Sequence, residues 1–256
     1  MLEFPLLTVL MIAPFAEKVQ EAEQQRQAVE AIRELGVLVY YDYQLDNSLE
    51  PPAPAWLERI FGIDFFADVG LLLGFDPSKV GEEGMGHLKR LTRLPYLSFS
   101  DMQFSDGGME HLKGLTNLVH LNLSGTEVTD TGLEQLKGLT KLKTLDLNYT
   151  QVTDAGLEHL KGLTKLKSLE LVGTQVADTG LEKLKGLRLL EELNLNSRQV
   201  TDAGLAHLKG LTKLRAVWLW QTETTEEGIK GLQEALPNCR IFWSSPFTPE
   251  ANRDRN

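Results

Sequence analysis

An apolar pair split by one residue returns every 24 residues along most of this chain. The pairs are Leu97 and Phe99, Leu121 and Leu123, Leu145 and Leu147, Leu169 and Leu171, Leu193 and Leu195, and Val217 and Leu219. The phase extends back to Leu73 and Phe75 and forward to Ile241 and Trp243, so an array without insertions is expected over residues 70–244. Modules of equal length, each too small to enclose a core, bury their apolar faces only against one another, and so they stack. Within a pair, both apolar side chains share one face of a short strand and the residue between them takes the other. The expected fold class is an α/β solenoid: seven repeats and a closing strand, a parallel sheet on the concave side and helices on the convex side.

After most strands comes a threonine (Thr126, Thr150, Thr174, Thr222, with Met102 and Arg198 as exceptions), whose hydroxyl can bond turn backbone that the sheet leaves free. An apolar residue follows (Phe104, Val128, Val152, Val176, Val200), then an acid at the helix start (Asp106, Asp130, Asp154, Asp178, Asp202). A carboxylate there is expected to cap N–H groups of its own helix. A glycine stands two residues further on in every repeat, as at Gly132, Gly156 and Gly204. Glycine is costly inside a helix, so its recurrence implies close approach of the helix start to neighbouring backbone. Leucines three apart, as Leu157, Leu160 and Leu163, pack the convex segment inward. A lysine falls in each last turn, where it suits the helix dipole.

The strings TDTGLEQLKGLTKL (residues 129–142) and TDAGLEHLKGLTKL (residues 153–166) resemble bacterial leucine-rich-repeat proteins with a T-D-x-G-L signature. They are also similar to ribonuclease-inhibitor-like and F-box-associated arrays. The likeness spans residues 70–244 and extends to the QAVEAIRELG and VYYDY strings of the head and to Leu236 through Ile241. It implies the horseshoe architecture and little biochemistry. Members of the bacterial group often carry an N-terminal membrane segment; the short run here, broken by Pro14, departs from that. No F-box is recognisable in residues 1–69, which weakens a ubiquitin-ligase adaptor reading.

The head is acidic: residues 1–69 hold 12 Asp/Glu against 4 Lys/Arg, a balance of −8 out of a total of −10. That leaves a nearly neutral array and gives nucleic acid no basic footprint. Residues 1–16 form an apolar segment too short to span a bilayer as it stands, and two readings stay open: a membrane or export segment, or a packed N-terminus. Localisation is accordingly membrane-associated or exported on the first reading and cytoplasmic on the second. Residues 17–69 are expected to cap the array, with a helix over 17–35 (a stripe of Val19, Ala22, Val29 and Ile32), a stop at Gly36, a strand over 37–45, a loop over 46–54 and a helix over 56–66. Residues 245–256 form a loose tail. Cys239, the one cysteine, excludes an intramolecular disulfide and is expected to be an inert buried thiol.

The outward strand positions should line up on the concave face. The central column is Ser98, Asn122, Asp146, Glu170, Asn194, Trp218 and Phe242. Tyr96, His120, Glu192 and Arg240 flank it on one side; Asn148, Asn196 and Trp220 flank it on the other, with Tyr149 and Gln221 beyond. An acidic, amide-rich centre next to outward tryptophans suits a protein interface, and the partner site is expected at Asn122, Asp146, Asn148, Tyr149, Glu170, Glu192, Asn194, Asn196, Trp218, Trp220 and Phe242. Alternatively, Pro246 and Phe247 of the tail cover the tryptophans. The chain is expected to be a monomer that uses no cofactor and no metal, since His87, His111, His159 and His207 fall in different repeats at solvated or edge positions, too far apart for one ion. Asp146 and Glu170 could approach as a carboxylate pair, but an open sheet is not expected to desolvate them or shift their pKa values, so no catalytic residue is assigned. The expected function is non-catalytic protein binding, with a membrane-tethered or envelope-attached scaffold as the alternative.

Overall fold

The computed structural model describes residues 4–34, 37–41, 69–73 and 85–244. The expected loop over 46–54, the helix over 56–66, the stop at Gly36, Phe75 and the tail from residue 245 lie outside them. Among the described residues nine strands form one sheet in sequence order: β1 (Leu38–Tyr41), β2 (Val69–Leu73), β3 (Tyr96–Ser98), β4 (His120–Asn122), β5 (Thr144–Asp146), β6 (Ser168–Glu170), β7 (Glu192–Asn194), β8 (Ala216–Leu219) and β9 (Arg240–Trp243). β1 is antiparallel to β2, and every later pair is parallel.

From β3 onward each strand is displaced by the same 24 residues, so Leu97, Leu121, Leu145, Leu169, Leu193, Val217 and Ile241 stand directly opposite one another. The first step differs. Leu71 faces Tyr96, a step of 25, and the strand occupies 69–73 where the phase placed its apolar pair at Leu73 and Phe75. β2 also pairs with β1 across an irregularity between Tyr40 and Tyr41, so its register answers to both neighbours.

Asp202–Leu208 and Glu226–Ala235 are α-helical throughout, as expected, but the convex segments before them are shorter and mixed. A single α-turn, as at Asp130–Leu133, runs into a 3₁₀ turn at Glu134–Gly138, and Gly156–Leu160 is 3₁₀ alone. Leucines three apart match the three residues per turn of a 3₁₀ helix, which returns each to the core. Leu157, Leu160, Leu163, Leu166, Leu145, Leu147 and Val152 are all fully buried, and each such side chain contributes about 2 kcal/mol of transfer free energy. Beneath the strands a second backbone ladder joins the modules, through Glu127 N–H to the Phe104 carbonyl (2.9 Å), Gln151 to Val128 (3.0 Å) and Gln175 to Val152 (2.9 Å). The threonine hydroxyls behave as the sequence implies: Thr126, Thr150, Thr174 and Thr222 donate to the carbonyls of Leu123, Leu147, Leu171 and Leu219.

The aspartates do something other than cap their own helices. The Asp106 carboxylate accepts from the N–H (2.8 Å) and hydroxyl (2.6 Å) of Thr129 in the next module. Asp130 does the same to Thr153, Asp178 to Thr201 and Asp202 to Thr225. Where Ala177 replaces the threonine, Asp154 takes its N–H and the Thr179 hydroxyl instead. The recurring glycine is explained by the same contact: a Cβ on Gly132, Gly156, Gly180, Gly204 or Gly228 would land on the preceding module's aspartate Oδ1. The close neighbour is a side chain, where backbone was expected.

At the N-terminus, α1 runs unbroken over Phe4–Glu34, passing through Pro14 and through the boundary expected at residue 16. Among the described residues no helix is long and apolar enough to cross a membrane. The inward stripe is Ala22, Gln25, Ala28, Val29 and Ile32, whereas Val19 is exposed. Ala28, Val29, Ile32, Val37 and Tyr41 share one core with Met85, Leu88 and the repeats, and Arg93 reaches Glu21 of α1 at 2.7 Å.

Candidate functional site

Strand register puts Ser98, Asn122, Asp146, Glu170, Asn194, Trp218 and Phe242 in one line on the outward face of the sheet. Their apolar neighbours point inward and are buried, so this line faces the concavity. A second line holds Tyr96, His120, Thr144, Ser168, Glu192, Ala216 and Arg240. The Tyr96 and His120 rings stack at 4.3 Å, and Trp218 stacks on Phe242 at 5.3 Å. Trp220 stays 39% exposed and Tyr149 66% exposed. Tyr96, Ser98, His120, Asn122, Thr144, Asp146, Ser168 and Glu170 line a shallow hollow of about 270 Å³.

Several expected site residues are committed to local structure by one atom. Asn122 Oδ1 accepts from Ser124 N–H, and Asp146 Oδ1 accepts from Asn148 N–H, which fixes both side chains over the turn that follows their strands. Asn148 and Asn196 accept from the N–H groups of Val172 and Trp220, each at 2.7 Å, and so continue the sheet ladder past the strand ends. The Asn148 amide nitrogen in turn donates to Glu170, which leaves that of Asn196 to offer to a partner.

The carboxylates depart from expectation. Burial, foremost, raises the pKa of both Asp146 and Glu170. Hydrogen bonds from the Asn148 backbone to Asp146, and from the Asn194 and Asn148 side chains to Glu170, oppose the shift. Repulsion from Asp101 adds to it at Asp146, and from Asp146 and Glu192 at Glu170. The concavity is open, yet its curvature and the ladder neighbours on either side remove enough water to disfavour the charges. A carboxyl whose folded-state pKa lies above its unfolded value destabilises the ionised fold, and the penalty fades as pH falls through the folded pKa. Glu170→Gln is therefore expected to raise the urea midpoint at neutral pH. The gain should vanish in acid below the ordinary carboxylate pKa, and a gain equal at both pH values would contradict a raised Glu170.

Asp101 was absent from the expected site. It, Tyr149 and Gln221 adopt left-handed backbone (φ 58°, 55° and 58°) at one repeat position that Gly125 and Gly173 also occupy. Asp101 and Tyr149 each need a glycine next door: a Cβ on Gly125 would strike Asp101, and one on Gly173 would strike the Tyr149 ring. The signal in sequence is the alternation Asp101, Gly125, Tyr149, Gly173.

The convex surface is different in kind. His87, His111, His159 and His207 are half-buried, and no metal-binding cluster occurs among the described residues. Three of the last-turn lysines pair with glutamates three residues earlier, Lys137 with Glu134, Lys161 with Glu158 and Lys185 with Glu182, in exposed bridges worth little individually. Cys239 is buried, and burial raises its thiol pKa.

A leucine-rich repeat model matches residues 116–176. No curated protein matches the chain. Among solved structures, an internalin (inlF) from Listeria monocytogenes is 27% identical with a TM-score of 0.53, over 61% of this chain and 43% of its own length. Internalin C2 from the same organism is 24% identical with a TM-score of 0.46, over 67% of this chain and 80% of its own. This chain thus spans less than half of the first of these proteins. The even strand ladder and the buried leucine pattern agree with the repeat model and with the inlF likeness: from β2 to β9 the fold is an α/β leucine-rich-repeat solenoid.

Proposed function

We propose that the chain is a non-catalytic protein-binding module that takes its partner on the concave face, through Asn122, Asp146, Asn148, Tyr149, Glu170, Glu192, Asn194, Asn196, Trp218, Trp220 and Phe242. Leucine-rich-repeat solenoids present curved surfaces that suit extended protein contacts, and the likeness to an internalin is in keeping with that class. The observation that carries the reading is the single line of outward residues, acidic in its centre and aromatic at its C-terminal end. Outward-facing tryptophans, here the exposed Trp220 and the half-buried Trp218, are typical anchors. In the same reading residues 17–69 cap the array, which belongs to the T-D-x-G-L type because its Asp and Thr residues stitch adjacent modules.

The test uses the full chain as bait. Trp218→Ala combined with Trp220→Ala is expected to weaken partner capture by about 2 kcal/mol or more, roughly thirtyfold, while the melting temperature changes little because Trp220 is exposed and Trp218 half-buried. Parallel loss of melting temperature and capture would instead place the rings in the framework of the last repeats. A tethering role through residues 1–16 would need full-length protein to fractionate with membranes.

A further inference from the structure

Building on the concave-face reading, we propose that the surface over β5 and β6 docks a protein segment presenting an arginine, its guanidinium on Asp146 and Glu170. An apolar side chain of the same segment rests on Trp218 and Trp220. The charge pattern leads to this. The strands and the turn residues after them, 96–101, 120–125, 144–149, 168–173, 192–197 and 216–221, contain Asp101, Asp146, Glu170 and Glu192 and not one lysine or arginine. The nearest cations precede the strands, and of these Lys167 is already paired with Glu191 at 2.7 Å. Among the described residues no salt bridge reaches Asp146 or Glu170, although they are adjacent in register and half-buried. Like charges held together without a counter-ion are a cost that an incoming cation relieves.

Arginine fits better than lysine because the surroundings are aromatic. The stacked Tyr96 and His120 rings form one wall, and the exposed Tyr149 ring stands three residues past Asp146. A guanidinium can lie on such rings while forking to a carboxylate; an ammonium cannot do both. The hollow, about 270 Å³ and shallow, is smaller than the ~300–1,000 Å³ typical of small-molecule pockets, so a side chain of a larger partner suits it. From Glu170 to Trp218 is two ladder steps, about 10 Å, which matches residues about seven apart on one helix face.

A random peptide library displayed on phage and panned against the full chain supplies the probe. Selected peptides are expected to be enriched in arginine with an apolar residue at a fixed spacing, and to bind about tenfold or more weakly to the variant Asp146→Asn with Glu170→Gln. Replacing the peptide arginine by citrulline should cost as much. The Asn/Gln variant keeps side-chain shape and removes repulsion, so its melting temperature should not fall. Peptides without arginine enrichment, equal binding to that variant, or no peptide selected at all would overturn the proposal. If binding is then lost only with Trp218→Ala and Trp220→Ala, the concave-face reading stands and the arginine falls. If neither variant matters, both readings fall.

Discussion

Truncating Leu145 to alanine is expected to cost about 2–5 kcal/mol and to divide the array as it unfolds. Leu145 is fully buried in β5, with Leu121 and Leu169 directly opposite on its two sides. Its neighbours belong to modules fixed by the strand ladder, the lower backbone ladder and the aspartate–threonine stitch. They cannot close in on a void without breaking register, so most of the cavity persists. In a stack where each repeat touches only its neighbours, stability is close to a sum of module and interface terms. Weakening a central module strikes two interfaces at once and leaves short flanking arrays with few repeats each. Urea unfolding should therefore broaden or split, and hydrogen exchange should accelerate on both sides of β5. Ile241→Ala is the control: Ile241 is half-buried in the last strand with one neighbour, and should cost about 1 kcal/mol or less, with exchange changes confined to β8 and β9. Equal costs at both positions would mean that the array is not a nearest-neighbour stack.

The concave line could be read from sequence because two strict periods coincide there, two residues within a strand and 24 between strands. Once Leu121 and Leu145 are inward, Asn122 and Asp146 have no other place to go. Other features had no such double constraint. An aspartate at a helix start looks the same whether it bonds its own helix or the next module, so Asp106 and its counterparts were misassigned. The clue was Thr129, 23 residues on, recurring as Thr153, Thr201 and Thr225. The raised pKa values of Asp146 and Glu170 come first from burial among their ladder neighbours, and at Asp146 also from the turn residue Asp101, neither of which is encoded at the acids themselves. The one-residue offset at β2 arises from a second partner, β1, that lies far away in sequence. Leucines three apart fit an α-helix and a 3₁₀ turn alike over so short a run, and the array uses both, 3₁₀ at Gly156–Leu160 and α at Asp202–Leu208.

Gly156→Ala and Asp130→Ala, made separately and together, test the stitch with the next largest expected effect. Asp130 accepts from the Thr153 N–H at 2.8 Å and from its hydroxyl at 2.6 Å. A Cβ on Gly156 would fall on Asp130 Oδ1 and approach Leu133 Cδ1 at 3.1 Å. The leucine methyl is the end of a flexible side chain and can give a few tenths of an ångström. The carboxylate cannot move without surrendering both bonds to Thr153. Gly156→Ala alone is therefore expected to cost about 2–3 kcal/mol through crowding. Asp130→Ala alone should cost about 1–3 kcal/mol by leaving a half-buried N–H and hydroxyl without their acceptor. In the Asp130→Ala background the space is already empty, and alanine is the better helix former than glycine by up to about 1 kcal/mol. The Gly156→Ala step should then cost almost nothing, giving a coupling of about 2–3 kcal/mol. Simple additivity in the urea-derived free energies would mean that the glycine is retained for some reason other than making room for the neighbouring aspartate.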